Sequence, residues 1–337
     1  MRPATREERY AHLVLKLLLG EAVPTAALAA VDWSLLARLA ERNTVLIRLA
    51  ELLAALGLRP PLAFTQAAAH ERARARAALD VLQRIGAACA QHGVEWLVPK
   101  ALQRYPDVGD DLDLLVRARS PAVDRLMLEH LAVTPRPRRL AHLLAGTTVY
   151  TAGAGLELDI HHGCVGSAGQ HTRYATALFA HRQPAAVGGM AVFVPLPEHQ
   201  LVLQGLEKVA GRRSFQLCDV LYTIVTIRRG GLDWDRVTRT ARTHGGAAGL
   251  SCYLHYVDGI HTRLTGRALV PPETQRALGG RGWGRARFRE AGFGFPALWV
   301  TGRIYVRQLA LAVGNHDWET VARLSLWPLA VIGTNLG

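Results

Sequence analysis

Residues Val98–Ala118 read VPKALQRYPDVGDDLDLLVRA: three aspartates fall within four residues, and the chain then runs directly into Leu-Leu-Val. On an extended strand alternate side chains share a face, so Asp111 and Asp113 point one way and Leu112 the other. Two carboxylates held side by side repel, and one tends to stay protonated unless a cation lies between them. A divalent metal is the simplest such cation. Asp-Val-Gly-Asp-Asp is also ordinary turn chemistry ahead of a strand, and this stretch alone does not choose between the two.

A second stretch weakens the turn reading. In GLELDIHHG, Glu157, Asp159 and His161 alternate and would share one face of a strand. Laid beside DLDLLV, that strand would bring up to four carboxylates together, an arrangement too costly to bury without a cation. Two divalent ions would neutralise them and clamp the attacking and leaving oxygens of a phosphoryl displacement. Neutralising Asp111 or Asp113 is then expected to leave the metal-free fold intact or more stable. The HHGC run with His171 downstream offers nitrogen and sulfur suited to zinc, but its spacing matches no standard site.

Outward from these strands the pattern is helical on both sides. EERYAHLVLKLLLG, DWSLLARLAERN with Asp32 as its cap, TVLIRLAELLAALG, and a long run ending at Gly93 form a helical N-terminal part, residues 1–93. Residues 94–196 alternate strands with a helix that opens at Ser120-Pro121, which gives an α/β core on a small mixed sheet. Residues 197–337 are helical again, with Gly stops. The Gly- and Arg-rich tract from about Arg267 to Phe295 is expected to be an irregular loop over the active site, and the chain after Gly314 a weakly patterned tail.

The formal charge is +13, yet only three of the 40 basic residues are lysines: Lys16, Lys100 and Lys208. The arginines are scattered, so anionic partners such as nucleotides fit better than a duplex-reading surface. Scarcity makes each lysine informative. No run approaches ~18 apolar residues, Glu7, Glu8 and Lys16 break any leader pattern, and four separated cysteines suit a reducing compartment. A cytoplasmic protein without a membrane span is expected.

A short strand, a polar turn, D-h-D-h on the next strand and a later acidic residue on a third strand resemble the DNA polymerase β-like nucleotidyltransferase superfamily. More narrowly, WLVPKALQRYPDVGDDLDLLV, ELDIHH, the helices from LPEHQLVLQGLEKVAG to LCDVLYTI, and LDWDRV resemble the bacterial uncharacterised nucleotidyltransferases. The resemblance implies Asp111, Asp113 and Asp159 as catalytic metal ligands for two Mg2+ ions. It implies Lys100, Ala101 and Lys208 as nucleotide-phosphate contacts. Ala101 stands where the family carries glycine, the residue that lets a backbone approach a phosphate closely, and the family's arginine before D-h-D is missing. The implied activity moves a nucleoside monophosphate, AMP from ATP, to a hydroxyl of a small-molecule acceptor such as an antibiotic or other natural product. The C-terminal helices would form the acceptor side. An RNA acceptor, as in tRNA-modifying toxin-type enzymes, and a degenerate nucleotide-binding scaffold are the alternatives.

Overall fold

The computed structural model describes residues 5–24, 27–28, 30–109, 111–166, 168–212, 214–279, 286–289, 291–295 and 298–334. The short helices α1 (Arg6–Leu18), α2 (Trp33–Arg42) and α3 (Leu46–Ala55) precede the long α4 (Leu62–Gln91). Asp32 caps α2 as its position suggests, its carboxylate accepting from Leu35 N at 3.0 Å.

The sheet that follows is mixed. Its order is β1 (Trp96–Leu97), β2 (Asp111–Val116), β5 (Glu157–His162), β4 (Thr147–Thr151), β3 (Thr134–Pro135). β2 and β5 are parallel neighbours, while β1, β4 and β3 each pair antiparallel. The crossover between the two acid-bearing strands contains α5 (Ser120–His130) and α6 (Leu140–Ala145). After α7 (Thr172–Ala180), β6 (Arg182–Val187) and β7 (Met190–Pro195) form a hairpin around Gly188-Gly189. Val98 N–H donates to Phe193 O at 2.9 Å, which docks that hairpin beside β1.

Alternation on the central strands sorts the molecule into two cores. Leu112, Leu114, Leu158 and Ile160 face α4 and α5. Leu97 and Leu115, from the opposite face of β1 and β2, join a larger core that the helices of both chain ends share. Those C-terminal helices begin with α8 (Pro197–Leu206), which widens into a π turn at Glu207–Arg212, and continue through α9 (Leu217–Arg228), α10 (Trp234–Thr243) and α11 (Ala247–Thr265).

Two sequence expectations need correction here. The tract from Arg267 to Phe295 is not simply irregular: it holds α12 (Pro272–Leu278) and the strands β9 (Arg287–Arg289) and β10 (Gly292–Gly294). β10 pairs with β8 (Ser214–Phe215) and with β9, and Phe293 stacks on Phe215 and packs edge-on with Phe288 in the larger core. Apolar burial therefore holds the described part of this tract in place. Residues 280–285 lie outside the described residues. The helical pattern ending at Gly314 forms α13 (Leu298–Gly314), and the tail after it is helical too, as α14 (Trp318–Thr334).

The turn between β1 and β2 is pinned from a distance. α3 has no side-chain cap of its own. Asp107, only 3% exposed, accepts from Ile47 N at 2.6 Å and from Arg48 Nε at 2.8 Å. It thus caps a helix 60 residues away. Asp107→Ala would lose the cap and strand Arg48, so a loss of about 2–4 kcal/mol is expected. Equilibrium urea unfolding measures it, and a change under about 0.5 kcal/mol would make the contact incidental.

Candidate active site

Strand alternation aims Asp111 and Asp113 at the polar face of the sheet, and parallel pairing supplies their neighbours. The register sets Asp113 against Asp159 and Asp111 against Glu157. Adjacent strands lie only ~4.8 Å apart, so this register decides which carboxylates meet. Ligand oxygens of Asp111, Asp113 and Asp159 all fall within 4.8 Å of one another. Asp159 Oδ1 is buried and has no hydrogen-bond partner. Three hard oxygen donors, one unsatisfied, fit a divalent cation of the magnesium type.

Glu157 stands apart from this trio. Its carboxylate pairs with Arg136 at 2.7 Å on a half-exposed rim, with 37% of the side chain accessible. Of the four acids expected to converge, the structure brings three together.

Lys100 and His161 complete the cluster. Lys100 Nζ lies 3.2 Å from Asp113 Oδ1 and 2.8 Å from Glu207 Oε2. His161 Nε2 lies 3.3 Å from the same Asp113 oxygen, while its buried Nδ1 has no partner. Burial alone would lower the Lys100 pKa, but Asp113 and Glu207 hold it above the ordinary lysine value. Burial alone would likewise raise Asp113, yet Lys100 and His161 hold its carboxyl well below the usual carboxylate range.

Asp159 goes the other way: burial and then the Asp113 charge push it up to about 6. The repulsion expected between Asp111 and Asp113 therefore falls on Asp159, because Lys100 already compensates Asp113. A folded-state pKa above the unfolded 3.8 means a stability contribution present below pH ~3.8 and lost as pH rises through about 6. In metal-free buffer Asp159→Asn is expected to melt above the wild type at pH 8, by roughly 1–3 kcal/mol of stability. The gap should close towards pH 4. Thermal melts in chelator across that range check it, and a pH-independent gap would point to packing instead.

The other expected phosphate contacts are placed differently. Ala101 opens the 3-10 turn Ala101–Arg104 and its side chain is buried in the apolar core under the sheet. Lys208 is not brought to the carboxylates. It is 2% exposed, with Nζ on Asp219 at 2.9 Å, and Asp219 carries Arg104 as a second cation at 3.8 Å. The zinc-like residues are not gathered into a site among the described residues: Cys164 donates to Ala145 O, and His171 bonds Gln308.

Two participants carry no local signal in the sequence. Glu207 comes from the π turn after α8, where no strand or helix period points to Lys100. Arg104 lies within the Val98–Ala118 stretch, but nothing in its local pattern tells that it turns inward. It lines a cavity of about 410 Å³ with Arg42, Arg74, Gly109, Asp111 and Glu157.

Among known proteins, a family described as uncharacterised nucleotidyltransferase matches residues 29–260. No curated protein and no solved structure matches the chain.

Proposed function

The chain belongs to the uncharacterised nucleotidyltransferase family, and from that premise we propose that it transfers AMP from ATP to a hydroxyl of a small-molecule acceptor. The observation that carries the reading is the meeting of Asp111, Asp113 and Asp159 within 4.8 Å, with one buried oxygen left unsatisfied. The D-h-D strand paired parallel to a third acidic strand supports kinship with the DNA polymerase β-like superfamily.

In this reading Asp111, Asp113 and Asp159 would hold Mg2+, with room in the reading for two ions. A metal bound there would supply neutralisation of phosphate charge and Lewis acidity toward the α-phosphate. Asp159, the acid on the third strand, takes the proton of the acceptor hydroxyl as the oxygen attacks phosphorus. The new O–P bond forms as the bond to the β-phosphate oxygen breaks, and pyrophosphate leaves with the electron pair. His161 fixes the orientation of Asp113, and Lys100 keeps that carboxylate charged until a phosphate competes for the ammonium.

A second cavity of about 410 Å³ supports a small-molecule acceptor. Its walls include apolar Leu102, Val187 and Leu196 with Gln103, Glu198 and Tyr222, and Leu102 and Gln103 belong to the turn that follows Lys100. Residues 94–196 would then act as the transfer core and 197–337 as the acceptor side, with an antibiotic or other natural product as the acceptor. Four free, buried cysteines support a cytoplasmic setting. No helix among the described residues is long and apolar enough to cross a membrane.

Incubating the protein and Mg2+ with each α-labelled NTP and an acceptor panel that includes tRNA tests the reading. Label in a small product supports it. Label in RNA moves the acceptor to the alternative that the +13 charge favours, and no label in any product leaves a nucleotide-binding scaffold.

A further inference from the structure

Arg104 is 6% exposed, yet among the described residues its guanidinium donates no hydrogen bond. Its ion pair with Asp219 Oδ1 spans 3.8 Å, beyond hydrogen-bond reach. Asp219 is already served from elsewhere, since its Oδ2 takes Lys208 Nζ at 2.9 Å and Gln216 N at 2.8 Å. Two buried cations therefore share the Asp219 carboxylate, and Arg104 is otherwise balanced only at longer range, by the charges of Asp111 and Asp113. A guanidinium is a planar fork of five donors, and leaving it buried without acceptors is costly. An anion in the adjoining cavity would complete it.

Position says which anion. Arg104 lines the cavity that also exposes Asp111. A Cβ built on Gly109 would lie 2.9 Å from Arg104 Nη1 and 3.5 Å from Asp111 Oδ1. The bare backbone at Gly109 thus marks a point close to both groups, and it is what lets the guanidinium lie against this turn. Glu41 and Glu71 also line the cavity, but Glu71 is held by Arg74 at 2.7 Å. A ligand with one phosphate at the aspartate trio and further phosphates along the chain would put its negative tail on the fork, the geometry guanidinium groups match best.

We propose that Arg104 binds the β- and γ-phosphates of the incoming nucleotide and steadies the pyrophosphate as it leaves. The assignment rests on the nucleotidyltransferase reading above. Charge builds on the oxygen bridging the α- and β-phosphates as that bond breaks, and a fixed guanidinium beside it stabilises the leaving group.

Calorimetric titrations of inorganic tripolyphosphate, ATP and AMP in Mg2+ buffer test it, on the wild type, Arg104→Gln and Gly109→Ala. Gly109→Ala keeps the arginine and displaces its head, so it decides the matter if Arg104→Gln does not fold. Both variants are expected to lose about 10- to 100-fold in tripolyphosphate and ATP affinity, the worth of a charge-assisted contact, with AMP affinity unchanged. Wild-type affinity for tripolyphosphate in the folded variants overturns the assignment. So does a wild type that binds ATP no tighter than AMP, although the transferase reading survives that result. A wild type that binds neither nucleotide takes the transferase reading down as well.

Discussion

Asp113→Asn is expected to lower the single-turnover rate of transfer by roughly 10³-fold or more, the several kcal/mol of charge stabilisation that a bound divalent cation supplies. Asp113 is central to the cluster. It faces Asp159 across the parallel ladder, and one of its oxygens receives both Lys100 and His161. An amide there removes a ligand charge and disturbs two neighbours at once. The fold should survive, because Lys100 keeps Glu207 at 2.8 Å. It should also be weakened. A carboxyl held below its unfolded pKa contributes stability that is fully present above that pKa and lost only as pH falls through the depressed folded-state value. The variant should therefore melt below the wild type at pH 7, and the gap should begin to narrow only below the ordinary carboxylate value of 3.8. A rate within tenfold of wild type would remove Asp113 from the chemistry.

Asp159→Asn is expected to separate binding from transfer. Asp111 and Asp113 still offer two carboxylates, so Mg2+–nucleotide affinity should stay near wild type, while the transfer step falls by roughly 10²–10⁴-fold, the usual worth of a positioned base. Glu157→Gln is the matched control. Its carboxylate faces Arg136 on the rim and should keep most activity. Single-turnover rates of the two variants on one acceptor decide between them, and the reverse ranking would make Glu157 the third ligand.

The opposite stability signs of the two variants make a useful pair. Asp113→Asn should destabilise the metal-free protein at neutral pH, and Asp159→Asn should stabilise it. Charge spacing alone makes the acids equivalent repelling partners. The structure separates them by where Lys100 sits, and sequence distance hides that contact.

The two acidic strands are legible in the sequence because a period of two is local: Asp111 and Asp113, or Asp159 and His161, share a face whatever surrounds them. Helix ends with Gly stops are legible for the same reason. What cannot be read depends on remote pairing. The parallel register that sets Asp159 against Asp113 joins segments across a two-helix crossover. The β6–β7 hairpin carries Pro184 inside a strand, so only its second half has a strand pattern, although Gly188-Gly189 is a recognisable two-residue turn. Phe293, which packs with Phe288, is anchored by Phe215 from another part of the chain, a contact that a Gly- and Arg-rich composition conceals. In α14, Pro328 interrupts the pattern that would have announced a helix. Lysine scarcity singles out Lys100 and Lys208 alike, and only the fold tells the cluster lysine from the one committed to Asp219.

The cap that Asp107 places on α3 bears on how this protein could be dissected or transplanted. A designer seeking a minimal transferase would cut near Gly93, where the helical N-terminal part gives way to the sheet. That cut would take away Ile47 and Arg48, the groups that hold the turn carrying Lys100, Arg104 and Gly109. It would also split the core that both chain ends share. The seam visible in the primary structure is therefore a poor place for scissors. Grafting the sheet onto another scaffold would require bringing α3 along, or building a new anchor for the turn.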